Sequence, residues 1–220
     1  MDDAPIHVEI ARIADVLLRV PEAASSWLSG SEHARLTGLR VDARRDQYCA
    51  GHWLVRELLA RRVEGDATSF SLIECQSQPP RVAGDDGLCV SISHSGDWVA
   101  AAVARSPIGI DLEQRPRALS PAIAAMLLNP EEPPGTLDAD ALLARWVAKE
   151  AWIKRRAGSA LPAQLQLIRL EPAPLLKADI RMTQAEAFHF AMAAAPGREI
   201  ARRSSVALVD REGYRVLEAT

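Results

Sequence analysis

Leu88-Cys89-Val90-Ser91-Ile92-Ser93-His94-Ser95-Gly96-Asp97-Trp98-Val99-Ala100-Ala101-Ala102-Val103-Ala104, followed after Arg105-Ser106-Pro107 by Ile108-Gly109-Ile110-Asp111-Leu112-Glu113, is the stretch that decides the fold. Residues 88–93 alternate as a strand. Ser95-Gly96-Asp97 is a turn signal, and Trp98 to Ala104 runs back, so the pair is a hairpin. Pro107 opens a further strand, Ile108 to Leu112. In that strand Asp111 and Glu113 leave on one face and Ile110 and Leu112 on the other.

Working outward, Ile6 to Ile13 is a strand. Ser31 to Glu64 is helical in pattern, with a break expected near Gly38 or Gly51. Phe70 to Glu74 is a short strand. Gln76 to Gly87 carries Pro79-Pro80 and Asp85-Asp86-Gly87 and reads as a loop. Downstream, Ser120 is placed as an N-cap with Pro121 at the first helical position of a helix to about Leu128. Asn129 to Gly135 is a loop, and Asp138 to Ala157 is a helix ended by Gly158. Leu165 to Leu170, Phe188 to Ala194 and Ser205 to Asp210 are expected strands. Each half is then a helical part followed by an antiparallel sheet, with the hinge near Arg105-Ser106-Pro107. That divides the chain into subdomains 1–106 and 107–220.

At 220 residues, 48% hydrophobic and 25% charged, with a net charge of -3, the composition is that of an ordinary globular protein. A strongly basic nucleic-acid footprint is absent at whole-chain level, although arginines cluster locally, as at Arg44-Arg45. No stretch is long and apolar enough to span a membrane. The first residues, Met1 to Pro5, carry no signal-peptide pattern. Cys49, Cys75 and Cys89 form no C-x-x-C pair, so they read as free thiols in a reducing compartment, and the expected location is the cytoplasm.

A second acidic motif is Trp146-Val147-Ala148-Lys149-Glu150-Ala151-Trp152-Ile153-Lys154. Glu150 and Lys154, four apart, share a helix face. The chain has only three lysines among 26 basic residues, and two of them lie in this motif. Lysine can give up a proton where arginine cannot. If this helix meets the 108–112 strand, Asp111, Glu113, Glu150 and Lys154 converge. Three hard oxygen ligands would then make a Mg²⁺ site able to share a phosphorylated substrate. Taken singly, each motif has an ordinary explanation: two solvated carboxylates on an amphipathic strand, or a surface ion pair on a helix. Ser93, His94 and Ser95 offer hydroxyls, an imidazole and turn amides to an anion. A Ser-His-Asp nucleophile is a weaker alternative, because no G-x-S-x-G elbow occurs. P-loop and G-x-G-x-x-G motifs are also missing.

The order Ser-x-Ser-His-Ser, then Gly-Ile-Asp-x-Glu, then Trp-x-x-Lys-Glu-Ala-x-x-Lys resembles the 4'-phosphopantetheinyl transferases, and among them the Sfp-type. The likeness covers roughly Ser31 to Leu170. It implies an α+β fold of two similar subdomains, each a small antiparallel sheet packed with helices, related by a pseudo-twofold, with the active site in the cleft between them. It implies coenzyme A as co-substrate, Mg²⁺ as cofactor, and an apo carrier protein domain as partner, with no nucleic acid or membrane and a monomeric state. Asp111, Glu113 and Glu150 would hold the metal. Glu150, Lys154 and His94 would be catalytic. Arg44, Arg45, Ser93, His94 and Lys154 would bind the coenzyme A phosphates, while Arg56 is more in keeping with a structural role.

One departure stands out. Where the family has Glu-x-x-Gly-Lys-Pro, this chain has Glu74-Cys75-Gln76-Ser77-Gln78-Pro79, so Gln78 replaces the lysine and Arg81 is the nearest substitute. Two rival readings are a Mg²⁺-dependent nuclease and a non-catalytic carrier-binding relative.

Overall fold

In a computed structural model, residues 4–75, 78–132, 137–156 and 165–218 are described. The decisive stretch folds as read. Strands β4 (Cys89–Ser95) and β5 (Trp98–Ala104) form the hairpin, and β6 (Gly109–Gln114) follows. Gly96 makes the turn at φ 53°, a left-handed conformation that glycine adopts without a side-chain penalty.

Strand β5 is buried at every position. It lies beside β1 (Ile6–Arg12) in a four-stranded sheet of order β10-β1-β5-β4, where β10 is Ile200–Ser204. On one face, Val99, Ala101 and Val103 pack against Ala50, Trp53 and Leu54 of the long helix α3 (Asp42–Val63). On the other, Trp98, Ala100, Ala102 and Ala104 meet Ile110, Leu112, Phe188 and Phe190 of a second sheet. The alternation of β5 thus builds two cores at once, and its alanines keep the layers close.

The second sheet has the order β6-β9-β8-β11-β7, with β7 Ile168–Ala173, β8 Ile180–Gln184, β9 Phe188–Ala193 and β11 Val209–Glu218. Its outer face is covered by α5 (Ala139–Arg155) through Val147, Ala148 and Ala151. The layers run α3, sheet, sheet, α5, an α+β arrangement with one helix-backed sheet on each side of a shared core. Shorter helices α1 (Ile13–Leu17), α2 (Gly30–Thr37) and α4 (Pro121–Leu127) complete the described elements, with a two-stranded pair of β2 (Leu72–Cys75) and β3 (Gln78–Val82). The Ser120 hydroxyl caps α4 from the Ile123 N–H, and Asp138 caps α5. No helix among the described residues is long and apolar enough to cross a membrane.

Several expectations are corrected. The helical break falls at Gly38, the C-cap of α2. Gly51 stays inside α3, where a Cβ would lie 2.6 Å from Ile92 Cγ2, so its smallness serves helix-to-sheet packing. The expected loop at 76–87 contains β3, because prolines are tolerated in the edge strand of a two-stranded sheet. The strand expected at Leu165 to Leu170 begins three residues later, and β8 was not foreseen.

Of the strand expected at Ser205 to Asp210, residues 205–208 are the turn between β10 and β11, and Val209 and Asp210 open β11. Val206 and Leu208 are half-buried against the inter-sheet core and imitate strand periodicity. The sheets are also not wholly antiparallel, since β10 pairs parallel with β1, carrying late sequence into the first sheet. Gln76, Ser77, Gly158 and the loop residues 133–135 lie outside the described residues.

Candidate active site

Gly109 explains how strand and helix meet. A Cβ there would sit 2.1 Å from Ala151 O and 2.2 Å from Arg155 N, so only glycine lets α5 lie directly on β6. That approach sets Lys154 against Asp111. Lys154 Nζ donates to Asp111 Oδ1 at 2.6 Å and to Ser93 Oγ at 3.2 Å. The Ser93 hydroxyl donates to Asp111 Oδ1 at 2.9 Å. Asp111 Oδ2 is buried and has no hydrogen-bond partner among the described residues. Burial pushes the Asp111 carboxyl up, against the pull of Lys154.

Glu113, two residues on, accepts from the Ser95 hydroxyl and pairs with Arg117. Glu150 is 8% exposed, and no hydrogen bond reaches its carboxylate among the described residues. Burial first, and then the charge of Asp111, push its carboxyl up to about 7. The i,i+4 partner Lys154 has turned to Asp111 instead of forming a surface pair with it.

Among the described residues no group of three or more His, Cys, Asp or Glu side chains is placed to hold a metal ion, so Asp111, Glu113 and Glu150 are not gathered as three ligands of one site. The donor set nonetheless suits a hard divalent cation: an orphaned buried oxygen on Asp111, an unbonded carboxylate on Glu150 whose ionisation is opposed by its neighbours, and Glu113 on the same strand face.

Lys154 also lines a cavity of about 940 Å³ between α3, β2–β3 and β4. Arg35 and Arg44 line it too, so with Lys154 its wall carries three cations against the one carboxylate of Glu74, and His94 stands beside them. His94 Nδ1 is buried without a hydrogen-bond partner among the described residues, and its imidazole is held below the usual range by burial and by the charges of Arg44 and Lys154. Arg45 turns elsewhere, donating to Leu36 O and Leu39 O at 3.4 Å each, and thus closes the C-terminal end of α2.

Gln78 lines the cavity; Arg81 lines a neighbouring one and lies 3.8 Å from Asp86. The structure therefore brings together Asp111, Glu150, Lys154 and Ser93, with His94 and Arg44 on the adjoining wall. Glu74, the first residue of the 74–79 motif, also lines the wall, with Arg35, Tyr48 and His52, to which the motifs do not point. Tyr48 and His52 recur at helical spacing, a signal that was available, whereas Arg35 carries none. Lys149, the other lysine of the motif, is fully buried and donates to Leu127 O and Leu165 O, which makes it a strut for the loops around α5.

Residues 107–202 match the family model of the 4'-phosphopantetheinyl transferase superfamily. This stretch, a little under half of the chain, is similar to that superfamily. The matched stretch begins just before β6 and ends in β10, so it holds Asp111, Glu113, Glu150 and Lys154. The cationic wall of the cavity lies upstream of it, apart from Lys154. No curated protein matches the chain. The superfamily it resembles there is one of 4'-phosphopantetheinyl transferases.

Proposed function

We propose that this protein is an Sfp-type phosphopantetheinyl transferase. It moves the 4'-phosphopantetheine group from coenzyme A to a serine of an apo carrier protein and releases 3',5'-ADP. The observation that carries this reading is the double engagement of Lys154, which lines the cationic cavity and is bonded to Asp111 at 2.6 Å. A phosphate-binding wall and a carboxylate cluster thereby share one residue.

In this reading Arg44, Arg35 and His94 hold the nucleotide phosphates in the cavity. Asp111, Glu113 and Glu150 would hold Mg²⁺, which when bound supplies charge neutralisation for the diphosphate. Glu150, with its carboxyl near neutrality, takes the proton of the carrier serine. The serine oxygen forms a bond to the β-phosphorus, and the bond from that phosphorus to the bridging oxygen breaks. The electron pair leaves with 3',5'-ADP. Lys154 stabilises the charge that develops on the phosphoryl oxygens.

The enzyme works as a monomer of two subdomains, 1–106 and 107–220, in a reducing cytoplasm. Its free thiols suit that setting, since burial pushes those of Cys49 and Cys89 up and keeps them protonated. The test is incubation with coenzyme A, Mg²⁺ and a panel of apo carriers, read by mass spectrometry. A carrier heavier by one phosphopantetheine is expected. Coenzyme A binding with no transfer to any carrier would favour a non-catalytic relative, and cleavage of DNA in a parallel reaction would favour a nuclease.

A further inference from the structure

Lys154 is the meeting point of two cavities. Besides the one already described, it lines a second of about 700 Å³, and Gln78, Pro79 and Pro80 of β3 line both. The edge strand β3 and the last turn of α5 thus stand on the boundary of two adjoining chambers. The second chamber is walled by Leu88, Val90, Ile108 and Trp152, an apolar surface that no part of the transfer step uses. Its size is in the range of pockets that hold ligands of drug size.

The second chamber also carries charge, mostly of one sign. Arg81, Arg155 and Arg156 line it together with Lys154, against the single carboxylate of Asp86 among its described lining residues. Asp86 offsets little of this, because it and Arg81 are both exposed and lie 3.8 Å apart. The Arg155 guanidinium stacks on the Trp152 ring at 4.9 Å, so an apolar surface and a cation are presented side by side. A guanidinium held by its face still offers its N–H fork edgewise, the geometry that matches a carboxylate.

We infer that this enzyme takes carboxyacyl thioesters of coenzyme A, of the malonyl class, in preference to neutral acyl thioesters of the same length. The inference rests on the reading of the site as a coenzyme A transferase. With the nucleotide in the first chamber and the diphosphate at Lys154, the pantetheine arm runs along Pro79 and Pro80 into the second. Its chain meets the apolar wall, and an acyl group on its sulfur lies among Arg81, Arg155 and Arg156. A neutral acyl group gains nothing from these cations, whereas a terminal carboxylate pairs with them. The reaction balances as before: the serine oxygen bonds to the β-phosphorus, the bond from that phosphorus to the bridging oxygen breaks, 3',5'-ADP leaves with the electron pair, and the thioester passes intact to the carrier.

The test compares malonyl- and propionyl-coenzyme A, whose acyl groups are equally long, with coenzyme A itself as the reference donor. Modification of a panel of apo carriers in the presence of Mg²⁺ is followed by mass spectrometry, and the ratio of kcat/KM between donors is the readout. The unchanged protein should favour malonyl over propionyl by about three- to tenfold, the scale of one or two partly exposed ion pairs. Arg155→Gln and Arg81→Gln, which keep a polar side chain and remove the charge, should each lower that ratio by about two- to threefold. The double variant should bring it to about one.

Equal use of the two thioesters by the unchanged protein, with coenzyme A itself transferred, overturns the inference and leaves the function intact. So does a malonyl preference that survives in the double variant. A loss of rate that is the same for every donor, and that comes from a higher KM for the carrier, would also overturn it, because the arginines would then face an acidic carrier surface. Failure of the unchanged protein to transfer from any of the donors would instead overturn the function. Arg81 is exposed on the edge strand β3, so Arg81→Gln decides the question by the same ratio if Arg155→Gln does not fold.

Discussion

Two buried carboxylates, one on each side of the molecule, have opposite fates. Glu32, in α2, is fully buried and bonded on every side. Arg56 reaches its two oxygens at 2.8 and 2.6 Å, His52 Nδ1 lies 2.7 Å away, and Glu32 Oε2 accepts the Ser29 N–H at 2.8 Å in a capping box. Burial alone would raise its carboxyl, but these partners outweigh it and hold it at about 2. Glu150 is buried almost as deeply, has Asp111 rather than an arginine as its strongest charged neighbour, and is held at about 7. Burial is common to both, and the partners differ. A carboxylate with all its bonds made is a structural pin, whereas one with none is held in readiness for a proton or a cation.

The largest expected effect breaks the second cluster. Glu150→Gln keeps the shape but cannot take a proton, and kcat should fall by about 100- to 10,000-fold. The stability change should go the other way. Because the folded carboxyl lies above its ordinary value of 4.5, stability is lost as pH rises from 4.5 to about 7, and the full cost is present above that. The glutamine variant should therefore melt at a higher temperature than the unchanged protein above pH 7. An unchanged rate together with a lower melting temperature would make Glu150 a structural residue like Glu32.

The next effect breaks the first cluster. Arg56 is fully buried against Glu32 and stacks on Trp27 at 5.0 Å. Arg56→Ala strands a buried carboxylate and should cost about 3–5 kcal/mol in urea unfolding. Activity per folded molecule should be retained. Selective loss of kcat in a normally stable variant would place Arg56 in the site after all.

A smaller effect is read by acid. The stabilisation from Glu32 is fully present above its unfolded value of 4.5 and is lost as pH falls through about 2. It is worth on the order of 3 kcal/mol. Glu32→Gln should lack that contribution at neutral pH and show a flatter loss of stability between pH 4.5 and 2. The same acid slope in both proteins would mean that another group carries it.

The smallest effect concerns the cavity wall. Gln78→Lys adds a cation to an exposed lining position. It should lower the KM for coenzyme A by roughly two- to fivefold, the scale of a solvent-exposed ion pair, with kcat unchanged. Unaltered or weaker calorimetric binding would mean that residues 74–80 do not face the nucleotide.

The sequence was most legible where local chemistry and packing agreed. The β4–β5 hairpin, the β6 strand and the α5 helix were all foreseen, because turn residues, strand alternation and helical spacing point the same way there. The convergence of Asp111 with Lys154 followed from two motif faces. What was not legible depended on distant partners. Strand β10 pairs with a strand nearly 200 residues away, and no local pattern records that. Pro79-Pro80 punctuate a chain in most settings, yet here they sit on a sheet edge. The burial of Glu32 by Arg56 and His52 joins two helices.

The comparison can be tested in one experiment, a carbon-13 carboxyl titration of the metal-free protein, with Glu32→Gln and Glu150→Gln used for assignment. Glu150 is expected to reach half-protonation near pH 7 while Glu32 remains ionised well below pH 4.5. Titration of both carboxyls together in the ordinary glutamate range would contradict it.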